Sequence, residues 1–71
     1  MDSRDSMKLA SKIINVTKHP VCIKEIVWAF SLTNKKIEYQ LTWFSTHVDC
    51  TIHQFSSYSE LKQFAKEKWN V

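Results

Sequence analysis

Residues 25–53 read EIVWAFSLTNKKIEYQLTWFSTHVDCTIH, and apolar side chains recur in this stretch at every second position. A period of two is typical of β-strands that bury one face and expose the other. The pattern predicts three strands, over residues 25–32, 37–44 and 48–53. Asn34-Lys35 is predicted to turn the first hairpin, because Asn tolerates the left-handed backbone conformation, and residues 45–48 are predicted to turn the second.

The register of these strands follows from bringing apolar side chains together, because a slip of one residue turns a whole strand over. Trp28 is expected opposite Leu41, and Leu41 opposite Ile52, as the central row of the buried face. The rest of that face is expected to comprise Ile26, Phe30, Leu32, Ile37, Tyr39, Trp43, Val48 and Cys50. The opposite, outer face would then be mixed and largely polar.

A helical pattern precedes the strands, with apolar residues on one half of the helical wheel from Asp5 to Thr17. Asp5 is a suitable N-cap, and Pro20 follows closely enough to end the helix. Residues 1–4 are expected to be loose.

A second helix is predicted from Ser57, because Ser57-Tyr58-Ser59-Glu60 has the form of a capping box. Ile13, Leu61 and Phe64 of the two helices are expected to cover the central row of the sheet. The predicted fold is α+β, in the order αβββα. It is a three-stranded antiparallel β-meander with an N-terminal and a C-terminal helix on one face, and residues 1–71 form a single small domain.

The chain contains no glycine, and this restricts the chemistry that it can support. Phosphate-binding loops, dinucleotide-binding turns and nucleophile elbows all need glycine where the backbone is tight. We therefore expect a binding protein rather than an enzyme, with no catalytic residue, no cofactor and no small-molecule substrate. No apolar stretch is long enough to span a membrane and no signal peptide is evident, so a cytoplasmic protein that does not bind membranes is expected.

Two His-x-x-Cys pairs, His19/Cys22 and His47/Cys50, suggest one candidate metal site. On the expected register the four side chains gather at one end of the sheet, and two Cys with two His can bind zinc tetrahedrally. The alternative is that Cys50 packs as a small apolar residue beside Trp43, with His47 in a turn. We expect no metal, because this spacing is uncommon among zinc sites.

The element order resembles the topology of double-stranded RNA-binding domains, and strands followed by a helix resemble the arm-binding domains of phage integrases. The RNA-binding family has lysines at the start of its last helix and a Gly-Pro loop after its first strand. This chain departs from both features, with an acidic start at residues 57–60 and Thr-Asn-Lys-Lys at residues 33–36. The resemblance implies a nucleic-acid-binding module as the alternative function, and its candidate residues are Arg4, Lys8, Lys12, Lys35 and Lys36.

The preferred function is protein binding. Unprotected strand edges and a few aromatic side chains on a polar outer face favour a protein partner or a second copy in a homodimer. The candidate partner-binding residues are Val27, Ala29, Gln40, Phe44, His53 and Phe55. Small domains of this composition, including those that phages encode, often act as stoichiometric inhibitors or adaptors, and that role is the one expected here.

Overall fold

The computed structural model describes residues 2–71, in which two helices flank three strands. In chain order the elements are α1 (Ser3–Thr17), β1 (Val21–Ala29), β2 (Lys35–Phe44), β3 (Cys50–Phe55) and α2 (Tyr58–Trp69). The strands form one antiparallel sheet in the order β1-β2-β3. The predicted αβββα fold is therefore confirmed.

Helix α1 begins earlier than its apolar pattern suggested. Asp2, not Asp5, is the N-cap, and its side chain accepts a hydrogen bond of 2.9 Å from the Arg4 N–H. Asp2 caps as well as Asp5 can, and the longer helix buries Ser6, whose hydroxyl donates to the Ser3 carbonyl. Ser3 and Arg4, which were expected to be loose, thus belong to the first turn of α1, while Met1 lies outside the described residues.

Both helices end on a residue in the left-handed conformation, at Lys18 (φ 62°) and Asn70 (φ 57°). Glycine usually occupies such positions, and this chain has none. At the start of α2, the Ser57 hydroxyl accepts from the Glu60 N–H at 3.2 Å, as the capping box predicts. The Glu60 carboxylate accepts hydrogen bonds from the N–H and the hydroxyl of Ser56, rather than from Ser57.

The core lies between the two helices and one face of the sheet. Leu41, in the middle of β2, is completely buried, and the other buried apolar residues come from the helices: Leu9, Ile13, Leu61 and Ala65. Val21, Ile23, Tyr39, Trp43, Phe55, Tyr58, Trp69 and Val71 pack around them and are partly buried. Both helices therefore cover the face of the sheet that carries Leu41, and within residues 2–71 no helix covers the other, outer face.

The first hairpin differs in register from the expectation. Leu41 lies opposite Ile23, and Trp28 lies opposite Lys36 rather than Leu41. The turn causes this difference, because the Phe30 N–H donates to the Asn34 carbonyl at 2.9 Å and closes a loop over residues 30–34. Val21 and Ile23 consequently face the helices. Ile26 and Trp28 lie on the outer face, and Phe30 and Leu32 lie in the loop instead of the core.

The second hairpin is displaced by one residue, which turns β3 over. Leu41 lies opposite His53, and Ile52 lies opposite Thr42. The Ser45 N–H donates to the Asp49 carbonyl at 3.1 Å, so the turn extends one residue further than expected. His53 and Phe55 consequently face the helices, while Cys50 and Ile52 lie on the outer face and Val48 lies in the turn.

Candidate protein-binding surface

The β1–β2 hairpin extends beyond the rest of the sheet. Strand β3 pairs only with Tyr39–Phe44 of β2, so no third strand from the described part of the chain lies beside residues 26–38. These residues, 26–38, are called the arm below. The radius of gyration is 13.0 Å, whereas about 11 Å is typical of a globular domain of this length. The difference agrees with the elongated dimensions of 41 × 25 × 20 Å.

The arm carries a concentration of exposed apolar side chains. Ten large hydrophobic side chains are exposed among residues 2–71, and five of them lie in the arm: Val27, Trp28, Phe30, Leu32 and Ile37. The two in the loop are the most exposed of these five, with Phe30 at 67% and Leu32 at 97%. Val27 and Ile37 lie on one face of the arm and Trp28 lies on the other, with Phe30 and Leu32 in the loop. Exposed apolar surface concentrated in one region often marks an interaction site.

Several polar interactions lie within the arm. The Lys36 ammonium lies 2.9 Å from the Glu38 carboxylate. The hydrogen bond and charge of Lys36, with a smaller contribution from the Trp28 side chain, hold the pKa of Glu38 below its usual value, against the effect of partial desolvation. In the loop, the Ser31 hydroxyl accepts from the Thr33 and Asn34 N–H groups at 3.4 and 3.0 Å.

A second group of apolar side chains lies on the outer face of the sheet, separated from the arm by a polar cross-strand row at Gln40. Thr42 is buried at its centre, with Cys22 and Ile52 directly opposite on the two neighbouring strands. Phe44 and Cys50 form the next pair along the sheet. Ile52 is exposed, and Phe44 and Cys22 are half-buried. The surface available to a partner therefore includes this face as well as the arm.

The six residues predicted to bind a partner do not all lie on one face of the sheet. Gln40 and Phe44 lie on the outer face as expected. The placement of Val27 and Ala29 on that face is wrong, because the shifted register of β1 puts them in the arm on the opposite side, which carries Ile37. The placement of His53 and Phe55 on the outer face is wrong. Both pack against the Phe64 ring of α2, at centroid distances of 4.5 and 5.3 Å. Burial, with the nearby charge of Lys68, lowers the pKa of His53.

Most of the arm was not predicted as a surface, because the alternating pattern places these residues in the core: Ile26, Trp28, Phe30, Leu32 and Ile37. A signal for their exposure exists in the sequence. Residues 26–30 read IVWAF and are apolar at both odd and even positions. A strand with two apolar faces needs cover on both sides, and two helices on one face of the sheet cannot supply it.

Lysines form a second feature, at the groove between α1 and α2. Lys8, Lys12, Lys62 and Lys66 line this groove, which has a volume of about 400 Å³. One acid lies close, since Asp5 is 3.6 Å from Lys62. Of the residues predicted to bind nucleic acid, Lys8 and Lys12 line the groove, whereas Arg4 does not and Lys35 and Lys36 lie in the arm. Lys62 and Lys66 were missed, because only the packing of the helices brings them beside α1.

The four residues of the candidate zinc set are separated by the observed register. Cys22 and Cys50 lie on the outer face, opposite Thr42 and Phe44, so Cys50 does not pack beside Trp43 on the helix side. His19 packs on the Trp43 ring at 4.8 Å, and lines a cleft of about 230 Å³ together with His47. Within residues 2–71, no three His, Cys, Asp or Glu side chains are grouped as metal ligands.

Neither α1 nor α2 is both long and apolar enough to cross a membrane. No known protein family, curated protein or solved structure matches this chain. The fold and its surface chemistry are therefore the grounds for a functional proposal.

Proposed function

We propose that this protein is a non-enzymatic protein-binding domain that acts as a stoichiometric inhibitor or adaptor, through the arm and the adjoining outer face. The observation that carries the proposal is the concentration of exposed large hydrophobic side chains in the arm. Aromatic residues such as Trp28 and Phe30 are typical of the positions that supply most of the binding energy in protein interfaces.

The energetics of burial support this role. Full burial of one large apolar side chain is worth about 1.5–3 kcal/mol. Burying the exposed parts of Trp28, Phe30 and Leu32 together therefore offsets much of the roughly 4–15 kcal/mol that association costs in lost freedom. The hydrogen bonds of Ser31 and the Lys36–Glu38 ion pair order the arm before it binds, and this lowers the entropic cost of association.

The test compares two charged variants at opposite ends of the sheet. Phe30→Asp with Leu32→Asp changes only exposed loop residues, so it should leave the melting curve intact. Val48→Asp is the matched control, because Val48 is 88% exposed and lies in the other turn. Tagged proteins are used to recover partners from the native cells, and the recovered proteins are quantified by mass spectrometry at low and high salt.

We expect the arm variant to lose a partner that wild type and Val48→Asp both retain. Retention should persist at high salt, because an apolar interface depends little on ionic strength. An arm variant that recovers the same proteins as wild type, in the same amounts, would rule out the arm as the binding surface.

The lysine groove supports nucleic-acid binding as a second candidate function. Lys8 and Lys12, and likewise Lys62 and Lys66, are four residues apart on their helices, where like charges repel. Phosphates bound in the groove would relieve this repulsion, and such binding weakens steeply with salt. The Lys8→Glu, Lys12→Glu double variant should abolish it, whereas the arm variant should not. Salt-sensitive binding to mixed DNA and RNA with that pattern of loss would favour this function over protein binding.

A further inference from the structure

Strand β1 forms one outer edge of the sheet, and its backbone can be oriented from the bonds at its two ends. The Phe44 N–H donates to the Pro20 carbonyl at 3.0 Å, and the Phe30 N–H donates to the Asn34 carbonyl at 2.9 Å. Even-numbered residues of β1 therefore direct their backbone groups towards β2. The antiparallel alternation directs the N–H and C=O groups of Ile23, Val27 and Ala29 to the open edge. No proline interrupts β1, so this edge can accept another strand.

We infer that the occupant of this edge is a second copy of the same chain, paired antiparallel, with Val27 of each copy opposite Val27 of the other. The inference rests on the proposed function, since it names the protein that the arm binds. A two-fold axis perpendicular to the sheet relates the copies, so that the even-numbered residues of both lie on one face. The backbone N–H and C=O of Val27 then bond their counterparts across the axis.

Charge matching favours this register over those with the axis at Lys24, Glu25 or Ile26. An axis at Lys24 would place two ammonium groups opposite each other, and an axis at Glu25 would place two carboxylates opposite each other. An axis at Ile26 would place each Val27 against the charged Glu25 of the other copy. An axis at Val27 opposes no like charges, and on the outer face it pairs Ile26 of each copy with Trp28 of the other.

The same register completes an apolar row on the other face. Within one copy Val27 lies opposite Ile37, and both side chains are about half exposed. Across the axis the row becomes Ile37, Val27, Val27 and Ile37 over four adjacent strands. Cross-strand pairs of this kind each contribute about 0.2–1 kcal/mol beyond an alanine pair. The copies thus cover apolar surface on both faces of the arm.

The surface area of one chain agrees with such a dimer. The protein exposes 5221 Å², whereas about 4,600 Å² is expected for a monomer of 8.4 kDa. An interface that removed the difference would bury about 600 Å² per copy and about 1,200 Å² in total. That total is at the lower end of the range for specific interfaces.

The oligomeric state in solution, measured by sedimentation equilibrium over a range of concentrations, tests the inference. Wild type should reach twice the 8.4 kDa of one chain. Val27→Glu and Val27→Lys should each sediment as monomers, because each places two like charges at the axis. An equimolar mixture of the two variants should restore the dimer. Val16→Glu is the control and should remain dimeric, since Val16 is 56% exposed, close to the 52% of Val27, but lies on α1.

A Val27→Pro variant separates loss of the dimer from loss of the fold, because it removes only an N–H that points away from β2. It should keep the circular dichroism of wild type and lose the dimer. The inference is overturned if wild type sediments at 8.4 kDa at every concentration. It is also overturned if Val27→Glu or a folded Val27→Pro remains dimeric. The recovery experiment distinguishes this failure from failure of the proposed function. If the chain does not dimerise but the Phe30→Asp, Leu32→Asp variant still loses a partner that wild type recovers, the arm binds a different protein.

Discussion

Val27 lies directly opposite Ile37 in the β1–β2 ladder, yet the two residues remain 52% and 45% exposed. Apolar cross-strand pairs usually lie under a helix or a second sheet. Here the core centres on Leu41, and the helices that bury it leave this part of the hairpin uncovered. The arm is therefore a hydrogen-bonded strand pair whose apolar surface is left uncovered.

Leu41 is the fully buried strand residue of the core, and it lies in one cluster with buried residues of both helices. Leu41→Ala should lower the free energy of unfolding by about 2–5 kcal/mol, measured by urea denaturation. Leu32→Ala is the control, since Leu32 is 97% exposed, and it should change stability by no more than about 0.5 kcal/mol. Equal effects of the two substitutions would contradict this description of the core.

Lys18 is held in the left-handed conformation at the end of α1, which a residue with a side chain adopts at a cost. Lys18→Gly should therefore raise the free energy of unfolding by about 0.5–1 kcal/mol. Lys12→Gly, in the interior of the same helix, should lower it by about 1 kcal/mol. Thermal melting of both variants checks the pair, and a destabilised Lys18→Gly protein would show that the Lys18 side chain is needed.

The Tyr58 hydroxyl is buried beside Asp5 without a well-aligned hydrogen bond among the described residues. Burial, followed by the negative charge of Asp5, raises the pKa of Tyr58 from 10.0 to about 12. The neutral form thus favours the folded state, and its contribution is complete below pH 10 and declines as pH rises from 10 to about 12. Tyr58→Phe should match or exceed wild type at neutral pH and lose less stability in that alkaline range. A variant less stable at neutral pH would indicate that the hydroxyl has a stabilising partner.

The His53 imidazole packs on Phe64, and burial together with the charge of Lys68 lowers its pKa from 6.5. The neutral form is therefore favoured in the folded protein, and stability present above pH 6.5 declines as pH falls through the lowered pKa. His53→Leu should be less sensitive to acid than wild type in melting experiments below pH 6.5. Identical acid dependence of the two proteins would mean that another group controls it.

The sequence predicted the element order, the start of α2 and the face of β2. Tyr39, Leu41 and Trp43 alternate strictly with polar residues, so their burial could be read from the pattern. The register of β1 could not be read from the pattern in the same way, because apolar residues occupy both faces of this strand. The register of β3 depended on a single residue in the turn, where the Asp49 carbonyl rather than Val48 closes the hairpin.

The candidate site was only partly predictable, for a related reason. Gln40 and Phe44 were placed on the outer face because the face of β2 was correct. Phe30 and Leu32 look like core residues in the sequence, and only the observed loop shows them to be exposed. Surface patches built from distant elements, such as the lysine groove, depend on how the helices pack together.

The most direct test of the account is photo-crosslinking from the arm. A benzophenone amino acid replaces Phe30 in one protein and Val48 in another, both being exposed apolar positions in turns at opposite ends of the sheet. After irradiation in the native cells, the Phe30 position should give a covalent adduct with a protein, either a second copy or another chain, and the Val48 position should give none. No adduct from Phe30, or equal adducts from both positions, would contradict the claim that the arm is a protein-binding surface.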